Sequence, residues 1–152
     1  METNSIIAAI KAIFNGADER DWRKVRAALA DDVWFDYQSL SDIPAAHLSA
    51  DEVVDYWQNF LPGFDSTHHQ LFGFDIEDNG PRAVVRFEGK VDHFIGDEAW
   101  TVEGVYLAEL RQIKGHWQVD MLQFNLQKQS GNAGLAATAT ERMRPVRTQT
   151  GY

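Results

Sequence analysis

The chain has 152 residues, 44% hydrophobic and 24% charged, which suits one globular domain and excludes a largely disordered chain. It has no cysteine, so disulfides, thiolate zinc sites, iron–sulfur clusters and a cysteine nucleophile are excluded. The formal net charge of −9 opposes binding to nucleic acid or anionic membranes, although residues 128–152 alone are net +3 and the rest −12.

Ile6, Ile7, Ile10, Ile13, Phe14 and Ala17 recur at three- and four-residue spacing and predict a first helix. Asn4 or Ser5 is available as its N-cap, and Gly16 signals that its end is near. A second, short helix is expected through Trp22, Val25, Arg26 and Leu29, with Asp21 placed to cap it. The run Val33-Trp34-Phe35-Asp36-Tyr37-Gln38 is β-branched and aromatic and reads as a strand. A loop through Pro44 follows. Ser49-Ala50-Asp51-Glu52 forms a capping box opening a helix that buries Val53, Val54, Trp57, Phe60 and Leu61, with Pro62-Gly63 as its stop.

From Ser66 onward the period changes to two. Strands are expected over roughly 67–77, 82–95, 99–113 and 116–126. Asn79-Gly80 is predicted to turn the first hairpin with positive φ at both residues, and Gly96-Asp97 and Lys114-Gly115 mark the next two. Helices first and a long antiparallel meander second predict an α+β fold with helices on one face of a curved sheet. After Gln129 the composition turns to Ser, Gly, Ala, Thr and Arg with little periodicity, as in disordered tails. No stretch approaches about 18 apolar residues, and Met1-Glu2-Thr3-Asn4 lacks a basic start, so a soluble cytoplasmic protein is expected.

Polar residues on apolar faces carry the functional signal, because burial without a partner is costly. In the strand 82–95 the inward positions are Ala83, Val85, Phe87, Gly89, Val91, His93 and Ile95. In 99–113 they are Trp100, Val102, Gly104, Tyr106, Ala108 and Leu110, with Gly104 expected to leave a gap beside Tyr106. Tyr37 shares a face with Val33 and Phe35. Asp18 continues the stripe of Ile10 and Phe14, although it could instead cap the second helix. In Thr67-His68-His69 parity alone does not select a histidine, because a bulge at Gly73 would shift the phase. One Asp, one or two His and two Tyr converging inward are more than a core needs, so a polar-lined pocket is the simpler explanation.

Ala17-Asp18-Glu19-Arg20-Asp21-Trp22, Asp36-Tyr37-Gln38-Ser39, Thr67-His68-His69, Val91-Asp92-His93 and Ile113-Lys114-Gly115-His116-Trp117 resemble the SnoaL-like branch of the NTF2-like superfamily. Within that branch the pattern is most similar to scytalone dehydratases. The resemblance spans roughly residues 5–127. It implies a cone-shaped NTF2-like, cystatin-like barrel, a curved and mostly antiparallel sheet wrapped around N-terminal helices. It further implies a SnoaL-like domain over 1–127; the basic tail 128–152 lies outside the resemblance and, from its +3 charge against a −12 body, is expected to pack on an acidic surface of its own subunit or a neighbour.

By the same resemblance Asp18, His69, Tyr37 and His93 are the catalytic set, the Thr-x-His motif selecting His69. Tyr106, Trp100, His68, Phe87 and Trp57 are assigned to the ligand-contacting wall. The family's second tyrosine falls on Ala17 here, and its pocket Ser and Asn fall on Gly104 and Tyr106. An Asp–His pair suits proton abstraction beside a carbonyl, with a Tyr hydroxyl at the developing enolate oxygen. In this scheme His93 is a second acid/base or a substrate donor.

The expected function is a small-molecule lyase or isomerase, most simply a dehydratase of a cyclic or polyketide-like hydroxy ketone. A SnoaL-like cyclase and a non-catalytic ligand-binding module are the alternatives. The expected partner is a small molecule, with no cofactor, metal, nucleic acid or membrane. Association into a homodimer or homotrimer is expected through the outward Trp34, Phe94 and Met121 or Leu122.

Overall fold

A computed structural model describes residues 2–144. Its elements are α1 (Glu2–Glu19), α2 (Trp22–Ala27), β1 (Leu29–Asp36), α3 (Gln38–Ser41), β2 (Ala46–Ser49), α4 (Ala50–Gln58), β3 (Ser66–Asp78), β4 (Arg82–Ile95), β5 (Glu98–Ile113), β6 (His116–Gly131) and α5 (Leu135–Arg142). The six strands form one sheet in the order β2-β1-β6-β5-β4-β3, antiparallel throughout except for β1 beside β6. This is a mixed α+β fold in which the meander supplies four of the six strands. No helix of the described residues is long and apolar enough to cross a membrane.

Helix α1 lies in the hollow of the sheet because its apolar stripe has nowhere else to go. Ile6, Ile10, Ile13, Phe14 and Ala17 are all at most 1% exposed. They meet inward residues of the meander, among them Val85, Phe87, Tyr106, Ala108, Leu110 and Phe124, in one core. The alternation read from sequence is the one observed in β4 and β5. Ser49 caps α4 as a full capping box, its hydroxyl accepting from the Glu52 amide at 3.1 Å while Glu52 accepts from the Ser49 amide at 2.8 Å.

Several local expectations change. Helix α1 runs through Gly16 to Glu19, and α4 ends at Gln58, ahead of Pro62-Gly63. Asn79 keeps a negative φ and only Gly80 is positive, whereas Lys114-Gly115 is the hairpin with two positive φ values. The space beside Gly104 is filled, since an added Cβ would lie 2.3 Å from the Asn125 carbonyl and 2.8 Å from the Phe124 ring. Gly89 is the residue that faces Tyr106, where an added Cβ would lie 2.4 Å from its ring. Gly89→Ala is therefore an overpacking substitution, expected to destabilise the fold by about 1–3 kcal/mol in a denaturant titration. Leu122 is 1% exposed and points inward, leaving Trp34, Met121 and Phe94 toward the outside.

The segment after residue 127 is structured as far as it is described, contrary to its composition. β6 continues to Gly131, and α5 buries Leu135 and Ala139 against the turn Leu61–Gly63. Arg142 donates to the Gly63 carbonyl at 3.1 Å and pairs with Asp65 at 3.0 Å. Two buried apolar side chains and one anchored cation suffice where sequence periodicity is weak. Residues 145–152, including Arg147, lie outside the described residues.

Candidate active site

Asp18 and His69 reach each other because two chain reversals are tightly specified. At the end of α1, Arg20 adopts a left-handed φ of 59°, and the Asp21 amide donates back to the Gly16 carbonyl at 2.8 Å. This stops the helix with Asp18 still on its buried stripe and frees Asp21, not Asp18, to cap α2 through the Lys24 amide. In β3, Gly73 has a φ of 67° and the pairing register with β4 shifts between Phe72 and Asp75. That bulge sets the phase. Thr67, His69 and Leu71 face inward before it, Phe74 and Ile76 after it, and His68 is exposed.

The Asp18 carboxylate is held by three donors. His69 Nδ1 lies 2.6 Å from Oδ1, the His69 amide donates to Oδ2 at 2.7 Å, and the Thr67 hydroxyl donates to Oδ1 at 2.9 Å. Arg20 stands behind this group. Its guanidinium donates to Thr67 Oγ1 at 3.2 Å and to the carbonyls of Ala17, Leu61 and Phe64 at 3.0–3.5 Å. Because Oγ1 accepts from Arg20, the Thr67 proton is directed to Asp18. Burial acts to raise the Asp18 pKa, but hydrogen bonds and charge from His69, with help from Thr67, outweigh it and hold the carboxyl below its ordinary value. An ionised Asp18 fixes the proton on His69 Nδ1, so Nε2 is the ring nitrogen left for a ligand.

His93 is 5% exposed, and its Nδ1 donates to the Trp100 carbonyl at 2.9 Å. Its ring stacks on Trp100 at 4.4 Å and tilts against Phe64 at 4.7 Å. Burial, only partly opposed by the Trp100 hydrogen bond, lowers its pKa to about 4. At neutral pH His93, with its proton on Nδ1, therefore offers an Nε2 lone pair.

Tyr37 and Tyr106 are hydrogen-bond partners through their hydroxyls. Burial raises both phenol pKa values, so both hydroxyls are protonated. Tyr106 lies on the inner wall of the site. It is wedged against Phe87 (4.9 Å, 8°), Phe14 and Phe124.

His69, His93, Tyr37, Tyr106, Trp57 and Trp100 line one inner chamber of about 60 Å³. It adjoins an outer cavity of about 830 Å³, whose wall includes Phe35, Ile43, Pro44, Leu48, Asp55 and, from α5, Ala136 and Thr140. Tyr37, Leu40, Ser41, Tyr56, Phe60 and Trp100 border both. Two residues assigned to the ligand wall are elsewhere. His68 projects from the outer side of the edge strand, and Phe87 is fully buried behind Tyr106. Sequence reasoning misses Arg20, whose reach to distant carbonyls leaves no periodic signal, and α3 with β2, which are too short to show one. Thr67 shares the parity of His69 and is recoverable from it. Among the described residues no group of three or more His, Asp or Glu side chains is arranged to hold a metal ion.

A model of the SnoaL-like domain matches residues 2–123, which include every polar residue of the chamber. The chain belongs to the SnoaL-like family. Its fold is shared with the Kfla4162 protein of Kribbella flavida, at 20% identity and a TM-score of 0.83 over 89% of this chain and 96% of that one. A protein of Novosphingobium aromaticivorans described as a candidate scytalone dehydratase aligns at 15% identity and a TM-score of 0.72, covering 86% and 87% of the two chains. A LinA-type3 hexachlorocyclohexane dehydrochlorinase of Novosphingobium barchaimii aligns at 14% identity and 0.70, covering 88% and 91%. At such identities the likeness is one of fold, the NTF2-like cone. No curated protein matches this SnoaL-like chain.

Proposed function

We propose that this SnoaL-like protein is a small-molecule lyase or isomerase that removes a proton next to a carbonyl, with dehydration of a hydroxy ketone as its reaction. The observation that carries the reading is the 2.6 Å contact between Asp18 and His69 Nδ1 beside a small aromatic-lined chamber. His69 Nε2 takes the α-proton, and Asp18 stabilises the imidazolium that forms. Tyr106, backed by Tyr37, donates to the oxygen that becomes an enolate. The enolate then re-forms the carbonyl and the β-hydroxyl leaves, taking the proton from His69. Carbon–carbon unsaturation and one water are the products. His93 Nε2 accepts the hydrogen of the departing hydroxyl and orients it. An elimination or dehydration is also what two of the structural neighbours are described as performing. With an electrophilic carbonyl in place of the leaving group the same base would give cyclisation.

The test is enone formation followed by absorbance across a panel of β-hydroxy ketones. His69→Gln is expected to lower kcat by about 10²–10⁴-fold, the range a positioned general base supplies. Tyr106→Phe is expected to cost about 10²–10³-fold with the fold intact. Ligand binding without turnover by the unmodified protein would refute the lyase reading and leave a binding module.

A further inference from the structure

Two features of the cavities bear on what enters them. The first is size. The inner chamber, about 60 Å³, is far below the roughly 300–1,000 Å³ of a typical small-molecule site. Tyr106 narrows it, its ring held in place edge and face by Phe14, Phe87 and Phe124 and backed by Gly89. Of the two, the outer cavity, walled by Phe35, Leu40, Ile43, Leu48, Tyr56 and Phe60, is the one with room for a larger body.

The second feature is charge. Among the described residues no Lys or Arg lines either cavity, and the charged side chains in the outer wall are Glu52 and Asp55. Arg20, which stands behind Asp18 and Thr67, spends its donors on Thr67 and three backbone carbonyls. A carboxylate or phosphate in the outer cavity would thus lie beside carboxylates with no counter-charge. A cation gains little in return. Glu52 is already occupied by the Ser49 amide, and Asp55 is exposed to solvent.

We propose that the ligand is an uncharged, tailed ketone: its apolar tail lies in the outer cavity, and only a small carbonyl-bearing end passes Tyr37 into the chamber, with Tyr106 as the residue that rejects compact ring systems. The proposal rests on the function above for the identity of the carbonyl, but not for the size and charge limits.

The test is calorimetric binding of three ketones that lack a leaving group, so that affinity is read without turnover. These are nonyl methyl ketone, its ω-carboxylated counterpart and tetralone. Nonyl methyl ketone is expected to bind at least about tenfold tighter than the other two. Asp55→Lys, a substitution on the exposed face of α4, is expected to narrow the gap to the carboxylate. Tyr106→Leu is expected to admit tetralone, whereas Tyr106→Phe, which keeps the ring volume, is not. Tetralone or the carboxylate binding as tightly as the tailed ketone overturns the proposal, as does failure of the tailed ketone to bind. If the affinities follow the expected order but the corresponding β-hydroxy ketones are not dehydrated, the proposed chemistry fails and the ligand class stands. Dehydration of a hydroxytetralone or a carboxylated substrate would instead overturn the ligand class and uphold the chemistry.

Discussion

Asp18→Asn is expected to lower kcat by on the order of 10³–10⁴-fold while the chain remains folded, the scale of loss when the carboxylate orienting a histidine base becomes an amide. The reason lies in the direction of the hydrogen bonds. All three partners of Asp18 are donors: the His69 ring N–H, the His69 amide and the Thr67 hydroxyl, the last directed by Arg20. An asparagine carries an NH₂ in one of the two oxygen positions, so a donor meets a donor in either orientation. Toward Nδ1, the amide nitrogen forces His69 into the tautomer with its proton on Nε2, and the base is lost. Toward the backbone amide, it leaves a buried N–H unpaired, at a cost of about 1–3 kcal/mol. The variant should therefore lose activity and some stability together. Imidazole nitrogen NMR distinguishes the tautomers directly. Activity within tenfold of the parent, with the tautomer unchanged, would sink the dyad.

The second large effect concerns pH and does not depend on the reaction. The His93 pKa falls from 6.5 to about 4 in the folded protein, first because burial penalises the imidazolium. The folded state therefore binds this proton less readily than the unfolded chain. The stability associated with neutral His93 is fully present above pH 6.5 and is lost as pH falls toward 4. The pKa difference corresponds to a loss of about 3 kcal/mol across that window. Asp18, with its depressed pKa, contributes in the same direction only at lower pH, below its ordinary 3.8. Thermal unfolding between pH 7 and 4 measures the slope. His93→Gln, which retains a side-chain donor for the Trp100 carbonyl but does not titrate, should flatten the curve. An unchanged slope in that variant would place the acid sensitivity elsewhere.

Asp18 illustrates how sequence and structure share the explanation. The helical stripe of Ile10 and Phe14 places position 18 on the buried face, and this follows from a period of 3.6 residues without knowledge of any other element. What the carboxylate meets there is a long-range matter. Its partners are 49 and 51 residues away, and their phase depends on the bulge at Gly73. Parity before the bulge favours Thr67, His69 and Leu71, and parity after it favours Phe74 and Ile76. Periodicity counted across the whole strand cannot separate His68 from His69, because one extra residue exchanges the faces.

Local pattern also misleads in identifiable ways. Gly104 reads as a space beside Tyr106, but β6 fills it from the neighbouring strand, and the glycine against Tyr106 is the cross-strand Gly89. The segment after residue 127 reads as structureless, yet α5 is held by Leu135, Ala139 and the Arg142–Asp65 pair and walls the outer cavity. His93 is legible as an inward histidine, while its protonation state is not, because that depends on Trp100 and Phe64 packed over its ring.

By itself, then, the sequence determined the α+β order of elements, the single apolar stripe of α1, the inward faces of β4 and β5, and the types of polar group directed inward. These are local properties, set by side-chain periodicity and by capping and turn chemistry within a few residues. Only the tertiary structure decided which histidine meets Asp18, that Tyr37 and Tyr106 are brought together, and how little space is left beside them. Each of those outcomes depends on contacts between residues distant in the chain, where a one-residue shift in register or one aromatic ring changes the result.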